Sequence, residues 1–305
     1  MPSTANEDSF NLVCAADDHY AMPLAVAIRS ALERIRGAAL RVFILDSGMS
    51  TSNRERVLAS WSGLPVRPVW LSIPDAYCSQ LGTLPVSSIR EMRHVSRSSY
   101  ARLMLGELLP QDVRRVIYLD CDMLVRADLG ELWAIGQDGN VVLAVQDYYV
   151  HTLGHPAISG CLPDGLPPVS PYFNSGVLVI DVELWRRHQI GARCMEYLGQ
   201  YGEQNRYLDQ DALNVVLHGM WKAVGYRWNQ QRYIHQAGMQ DLPMNLEQYA
   251  VAKNRPCIIH FTTGDKPWLA ACKHPDRRLF IEQLEKTAWH GWRPPDHGGP
   301  AINGG

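Results

Sequence analysis

Short, nearly continuous apolar runs alternate with helical segments through the first half of the chain. This alternation restricts the fold more than any other feature. FNLVCA (10–15), RVFILD (41–46), VRPVWLS (66–72), RRVIYLD (114–120) and VVLAVQD (141–147) are rich in β-branched and aromatic residues. Between them, MPLAVAIRSALERIR (22–36) places Leu24, Ile28, Leu32 and Ile35 on one helical face, with Pro23 near its start. Ser52 and Glu55 have capping-box spacing for a helix over NRERVLASW. SYARLMLGELL (99–109) keeps helical spacing up to Pro110. Runs without polar alternation read as strands covered on both faces. The expectation is an α/β fold with a Rossmann-like, mostly parallel central sheet flanked by helices.

The second half is less regular. HTLGHPAISGCLPDGLPPVSP (151–171), rich in Pro and Gly, reads as a long surface loop. FNSGVLVIDV (173–182) reads as a strand, 183–201 as a helix, DQDALNVVLHG (209–219) as a short helix closed by Gly219, and RPCIIHF (255–261) as a further buried strand. From His290 onward no apolar pattern remains. The expected organisation is a disordered N-terminus over 1–9, one α/β domain over 10–270, and a C-terminal helical extension with a flexible tail over 271–305.

Composition excludes several classes. A net charge of −2 gives no broad electrostatic footprint for nucleic acid. Seven scattered cysteines without a CxxC pair read as reduced thiols. No run approaches the ~18 apolar residues of a membrane span, and MPSTANEDSF does not read as a secretory signal. The tail carries Trp289 and Trp292 but few basic residues, which argues against stable membrane attachment. A cytoplasmic protein is expected.

The run RRVIYLDCDMLV (114–125) ends in Asp120 and Asp122. In extended backbone, residues two apart share a face, so the carboxylates can converge on a cation while Cys121 points away. The motif alone is weak: a second Asp-x-Asp occurs at Asp209–Asp211, and the pair also suits the polar start of a loop. Its place at a strand's carboxyl end, where α/β sheets bind ligands, strengthens it. His260 ends another apolar run and offers a third ligand, although such a histidine also suits a hydrogen-bonded core position. Two carboxylates and an imidazole suit Mn²⁺, with Mg²⁺ the alternative. Neither GxGxxG nor GxxxxGK[ST] is present, so any phosphate here would be held by metal and single basic side chains.

Six stretches in order resemble the family 8 glycosyltransferases of the GT-A fold. They are CAADDHY (14–20), IREMRHVSRSSYARL (89–103), VIYLDCDMLV (116–125), YFNSGVLVIDV with LWRRH (172–188), YLDQDALN (207–214) and HFTTGDKPW (260–268). Within that family they resemble the bacterial lipopolysaccharide α-1,4-galactosyltransferases and, more distantly, glycogenin. The resemblance implies a UDP-sugar donor, galactose before glucose, and transfer to an acceptor hydroxyl with retained anomeric configuration. It implies Mn²⁺ on Asp120, Asp122 and His260. Asp17 and Tyr20 would meet the uracil, with His19 standing where the family usually has Asn. Lys266 and His94 would meet the diphosphate. Arg102, Asp147, Asn174, Asp209 and Gln210 would meet the sugar, with Gln210 and Asp209 at the reacting carbon. The family's HxxGxxKPW motif carries Thr263 in place of its glycine. A metal-dependent nucleotidyltransferase or NDP-sugar hydrolase, and a non-catalytic nucleotide-sugar-binding relative, are the competing readings.

Overall fold

A computed structural model describes residues 10–36, 39–74, 77, 97–202 and 206–294. The strands are β1 (Asn11–Ala16), β2 (Leu40–Asp46), β3 (Val66–Ser72), β4 (Arg115–Leu119), β5 (Met123–Val125), β6 (Val142–Gln146), β7 (Phe173–Asp181), β8 (Trp221–Ala223), β9 (Gln230–Gln231) and β10 (Ile258–His260). Seven of them form one sheet in the order β3-β2-β1-β4-β7-β6-β8. All neighbours in it are parallel except where β7 runs against β4 and β6. The expected mostly parallel α/β sheet is therefore present, with one reversed strand. Pro68, which has no amide hydrogen to give, lies in the edge strand β3.

The strand order reverses direction between β1 and β4, so their carboxyl ends open a crevice, the usual ligand position in such sheets. Because β7 is reversed, its first residues rather than its last line that same edge. RPCIIHF does not join the main sheet. Its strand β10 pairs with β5 and β9 in a separate three-stranded sheet. Apolar periodicity is the same for a buried strand in either sheet and in either direction, so neither fact was readable from the run itself.

Several local expectations are corrected. The helix over Thr51–Ser60 is capped by Ser50, whose side chain accepts from Asn53 N–H, and not by Ser52. The expected helix 183–201 is two, Val182–Arg187 and Ile190–Tyr201, broken at Gln189 with φ +50°. After that break Gly191 lies against the Leu103 carbonyl, where a Cβ would come within 2.1 Å. The segment at 99–109 is a 3-10 stretch, Arg97–Met104, followed by one α-turn at Leu105–Leu108. The span 151–171 is a folded excursion: Thr152 bridges Pro171, and Leu153 and Ile158 pack with Val150 and Tyr172. The helix Arg277–Leu284 buries Phe280 and Leu284 in the apolar cluster that holds Leu12 and Ile28. The expected termini, 1–9 and most of the tail, lie outside the described residues. Among the described residues no helix is long and apolar enough to cross a membrane.

Candidate active site at the junction of two sheets

Asp120 and Asp122 sit in the bend where the chain leaves β4 for β5. Their convergence comes from this bend, not from the pleat of a single strand. Each is held by a different sheet: Asp120 N–H donates to Gly176 O (2.9 Å), and Phe261 N–H donates to Asp122 O (2.9 Å). In β10, His260 lies opposite Met123, which brings its ring to the aspartates. His260 Nε2 is 3.3 Å from Asp122 Oδ1 and 3.8 Å from Asp120 Oδ2. One donor atom from each residue lies within 4.8 Å of the others. Two hard oxygens and one imidazole nitrogen at that spacing are a donor set suited to a divalent cation.

The surroundings supply charge and exclude bulk. Lys266 is buried and its ammonium pairs with Asp122 while donating to Phe261 O (2.8 Å). Burial works to raise the Asp122 pKa, but the Lys266 ammonium, foremost among the opposing groups, helps hold the carboxyl well below its usual range. Arg102, equally buried, bridges Asp120 Oδ1 (2.8 Å) and Asp209 Oδ2 (3.0 Å) and lies over the Tyr118 ring. Burial alone would lower the Arg102 pKa; the carboxylates of Asp120 and Asp209 reverse this and raise it. An arginine so placed is no solvated helix residue. It ties the aspartate pair to the start of the helix Asp209–Val216.

Asn174 and Gln210 complete the cluster. Asn174 Nδ2 donates to Asp147 Oδ2 and to Gln210 Oε1, both at 3.1 Å. Gln210 Oε1 also accepts from Ser175 N–H (3.0 Å), and Gln210 Nε2 donates to Asp147 Oδ2 (3.3 Å). Asp147 Oδ1 caps the next turn by accepting from Tyr149 and Val150 N–H. Asp147, Asn174 and Gln210 thus form one hydrogen-bonded group beside the aspartate pair, and Asp209 is joined to it through Arg102 and Ser175.

At the other side of the crevice, Asp17 caps a 3-10 turn by accepting from Tyr20 N–H. Tyr20 packs edge-on against Trp268 (5.8 Å), and its phenol pKa is pushed up by burial and then by Asp122, Cys121, Asp120 and Asp17. His19 is exposed. His94 lies outside the described residues. Thr263 takes φ +73°, in the left-handed region that disfavours a β-branched residue. Thr263→Gly is therefore expected to stabilise the fold by about 1 kcal/mol, since relief of strain outweighs the glycine's chain entropy. Calorimetric unfolding of the pair checks this, and an unchanged or lower Tm contradicts it.

A family model described as glycosyl transferase family 8 matches residues 11–272. The chain belongs to glycosyl transferase family 8. It is 28% identical to general stress protein A of Bacillus subtilis over 97% of this chain and 99% of that one. It is also 28% identical to the lipopolysaccharide 1,2-glucosyltransferase of Escherichia coli over 66% of this chain and 58% of that one. Its fold is similar to that of the galactosyltransferase LgtC solved with donor and acceptor sugar analogues, with TM-score 0.78 and 30% identity over 91% of this chain and 96% of that one. The GT-A architecture and a glycosyltransferase activity follow for this family 8 chain.

Two further carboxyl groups differ from the pair at the crevice. Asp211, the second acid of Asp-x-Asp 209–211, turns away from the site: Tyr172 Oη donates to it at 2.5 Å and Tyr207 N–H at 2.8 Å. Burial pushes its pKa up to about 6 against those hydrogen bonds. A raised carboxyl pKa contributes stability below the unfolded value near 4, lost as pH rises through 6. The Tm of the native chain relative to Asp211→Asn is expected to fall across pH 4–6, by the equivalent of about 3 kcal/mol. Tm series of both proteins against pH test this; parallel curves would contradict it. Asp276 lies near His235 and His274, a second three-ligand group among the described residues. There Asp276 N–H already donates to His274 Nδ1 (3.1 Å), so that electron pair is engaged.

Residues the sequence did not mark also shape the site. Ser175 binds Gln210 and Arg102, and Asp18 anchors Ser50 and Asn53 at the start of the helix after β2. Asn229, wholly buried, contacts both Asn174 and His260. Their residue types are those of ordinary surface loops, so no sequence signal separated them.

Proposed function

We propose that the chain is a retaining hexosyltransferase that moves galactose, or second glucose, from a UDP-sugar to an acceptor hydroxyl, with Mn²⁺ as cofactor and Mg²⁺ as substitute. The observation that carries this reading is the meeting of Asp120, Asp122 and His260 at the switch-point crevice, with Arg102 linking them to Asp209. The donor set fits a divalent cation by its chemistry: two carboxylates converge on a site faced by an imidazole nitrogen. When bound there, the cation supplies Lewis acidity to a leaving diphosphate.

The chain's own residues do the rest. Asp17 and Tyr20 receive the uracil, and Lys266 places positive charge beside the diphosphate. The group of Asp147, Asn174, Asp209 and Gln210 receives the sugar, Asn174 by sharing bonds it already makes within the protein. Gln210 is an amide and a poor nucleophile, which favours same-face attack through an oxocarbenium-like state over a covalent carboxylate intermediate. In the described arrangement Gln210 Oε1 is held by Ser175 N–H and Asn174. To face a positive anomeric carbon it must be shared with, or released from, those donors. The acceptor would contact the folded excursion 151–171, where loop residues set specificity.

Incubation with a panel of UDP-sugars and acceptors, with Mn²⁺, Mg²⁺ or chelator, tests the reading. Release of UDP with a glycoside of unchanged anomeric configuration is expected, and chelation is expected to abolish it. Release of pyrophosphate would indicate nucleotidyl transfer. Absence of binding or turnover with every UDP-sugar would remove the proposal. Gln210→Ala with native turnover would remove Gln210 from the reacting carbon.

A further inference from the structure

We infer that Asn229 is the positioning residue that decides which nitrogen of His260 carries the ring proton, leaving the one that faces the two aspartates bare, and that Asn174 in turn orients Asn229. The starting point is a backbone amide, which can only donate. Gly176 N–H donates to the Asn174 side chain at 3.1 Å, so the atom it meets is Oδ1. The other end of that amide, Nδ2, faces Asp147 Oδ2 and Gln210 Oε1, both acceptors. Asn174 is thereby oriented at both ends, and all four of its hydrogen-bonding positions are used within the protein once Asn229 is added.

Asn229 meets Asn174 Oδ1 at 2.8 Å. An acceptor there requires a donor, so Asn229 presents Nδ2 to it. The opposite end, Oδ1, lies 3.0 Å from His260 Nδ1. That oxygen requires a donor from the ring, so the proton of a neutral imidazole rests on Nδ1 and Nε2 is left bare. Nε2 is the atom directed at Asp122 Oδ1 and Asp120 Oδ2. Asn229 is 0% exposed and His260 4% exposed, so water does not compete for these bonds.

Neutral imidazole has one proton and two nitrogens, and the hydrogen bond at one determines the ligand capacity of the other. With the opposite tautomer, an N–H would point between the carboxylates and occupy the electron pairs that would bind a cation. Asn229 thus keeps His260 in its ligating form before any cation arrives. Asn174 makes that arrangement continuous with Asp147 and Gln210, so displacement at the sugar side is felt at His260.

The affinity arm of the test rests on the proposed cation site, whereas the tautomer arm does not. In metal-free, ¹⁵N-histidine-labelled protein at pH 8, the His260 signals, assigned by their loss in His260→Gln, are expected to show protonated Nδ1 and bare Nε2. Asn229→Ala is expected to lose the single tautomer and to bind Mn²⁺, by calorimetry without donor, about 10–100-fold more weakly. Asn229→Asp keeps the acceptor toward His260 Nδ1 but removes the donor to Asn174 Oδ1; it is expected to lose stability while retaining the Nδ1–H form and Mn²⁺ affinity within about threefold. A proton on Nε2 in the native chain would overturn the inference, as would an Asn229→Ala protein with unchanged tautomer. The Asn229→Asp protein decides by the same spectrum should the alanine variant not fold. If the native chain shows the Nδ1–H form yet binds no Mn²⁺, the cofactor reading fails and the role of Asn229 stands.

Discussion

Asp122→Asn is expected to lower sugar transfer by on the order of 10³-fold, about 4 kcal/mol of transition-state stabilisation. Two effects combine. The cation site loses a charged oxygen, and the neutral amide presents an N–H donor where an acceptor is needed. Asp122 is also the anion for the buried Lys266 and faces His260. Removing one partner of a buried charge pair leaves the other uncompensated, at a cost of about 3 kcal/mol or more. The Tm is therefore expected to fall together with activity, and the rise in Tm with Mn²⁺ is expected to disappear. Adding Lys266→Met separates the effects: it should recover much of the stability and none of the transfer. An Asp122→Asn enzyme that kept both its rate and its response to chelator would remove Asp122 from the ligand set.

Gly176→Ala has the second largest expected effect, and its cause is steric. A Cβ at Gly176 would meet His260 Cε1 at 2.4 Å, Met123 Cε at 2.8 Å and Asp120 Oδ2 at 2.9 Å. The Met123 methyl is flexible and can retreat. The His260 ring cannot, because Asn229 holds it, and Asp120 is held by Arg102 and Tyr118. Overpacking at such a point costs about 1–3 kcal/mol of stability. Displacing two ligand groups by an ångström is expected to cost at least ~10²-fold in rate. Unfolding curves and initial rates measure the two losses. A fully active Gly176→Ala enzyme would mean that this Asp120–His260 spacing is not the one used in catalysis.

The strand–helix alternation and the apolar runs correctly indicated an α/β sheet, because burial on both faces writes itself into local composition. The site residues were legible in a narrower sense. Asp120 and Asp122 stood out by spacing, and His260 by its place at the end of a run. The pleat of one strand does not account for their convergence. The bend between two sheets brings the carboxylates together, and pairing of β10 with β5 brings the imidazole.

Local chemistry in the sequence determined which segments are buried, which ends carry carboxylates and which side chains have the types that bind a cation. Only the tertiary structure decided that β7 runs backwards. That reversal carries Asn174, Ser175 and Gly176 to the crevice, and no pattern of period two contains strand direction. The tertiary structure also set the orientation of three amides, the buried Asn174 and Asn229 and the half-buried Gln210. An amide has a donor end and an acceptor end, and which end faces a neighbour depends on partners far away in the chain. Asn229 is 55 residues from Asn174 and 31 from His260. Long-range polar pairing of that kind leaves no local trace, since each residue alone is indistinguishable from one that faces water.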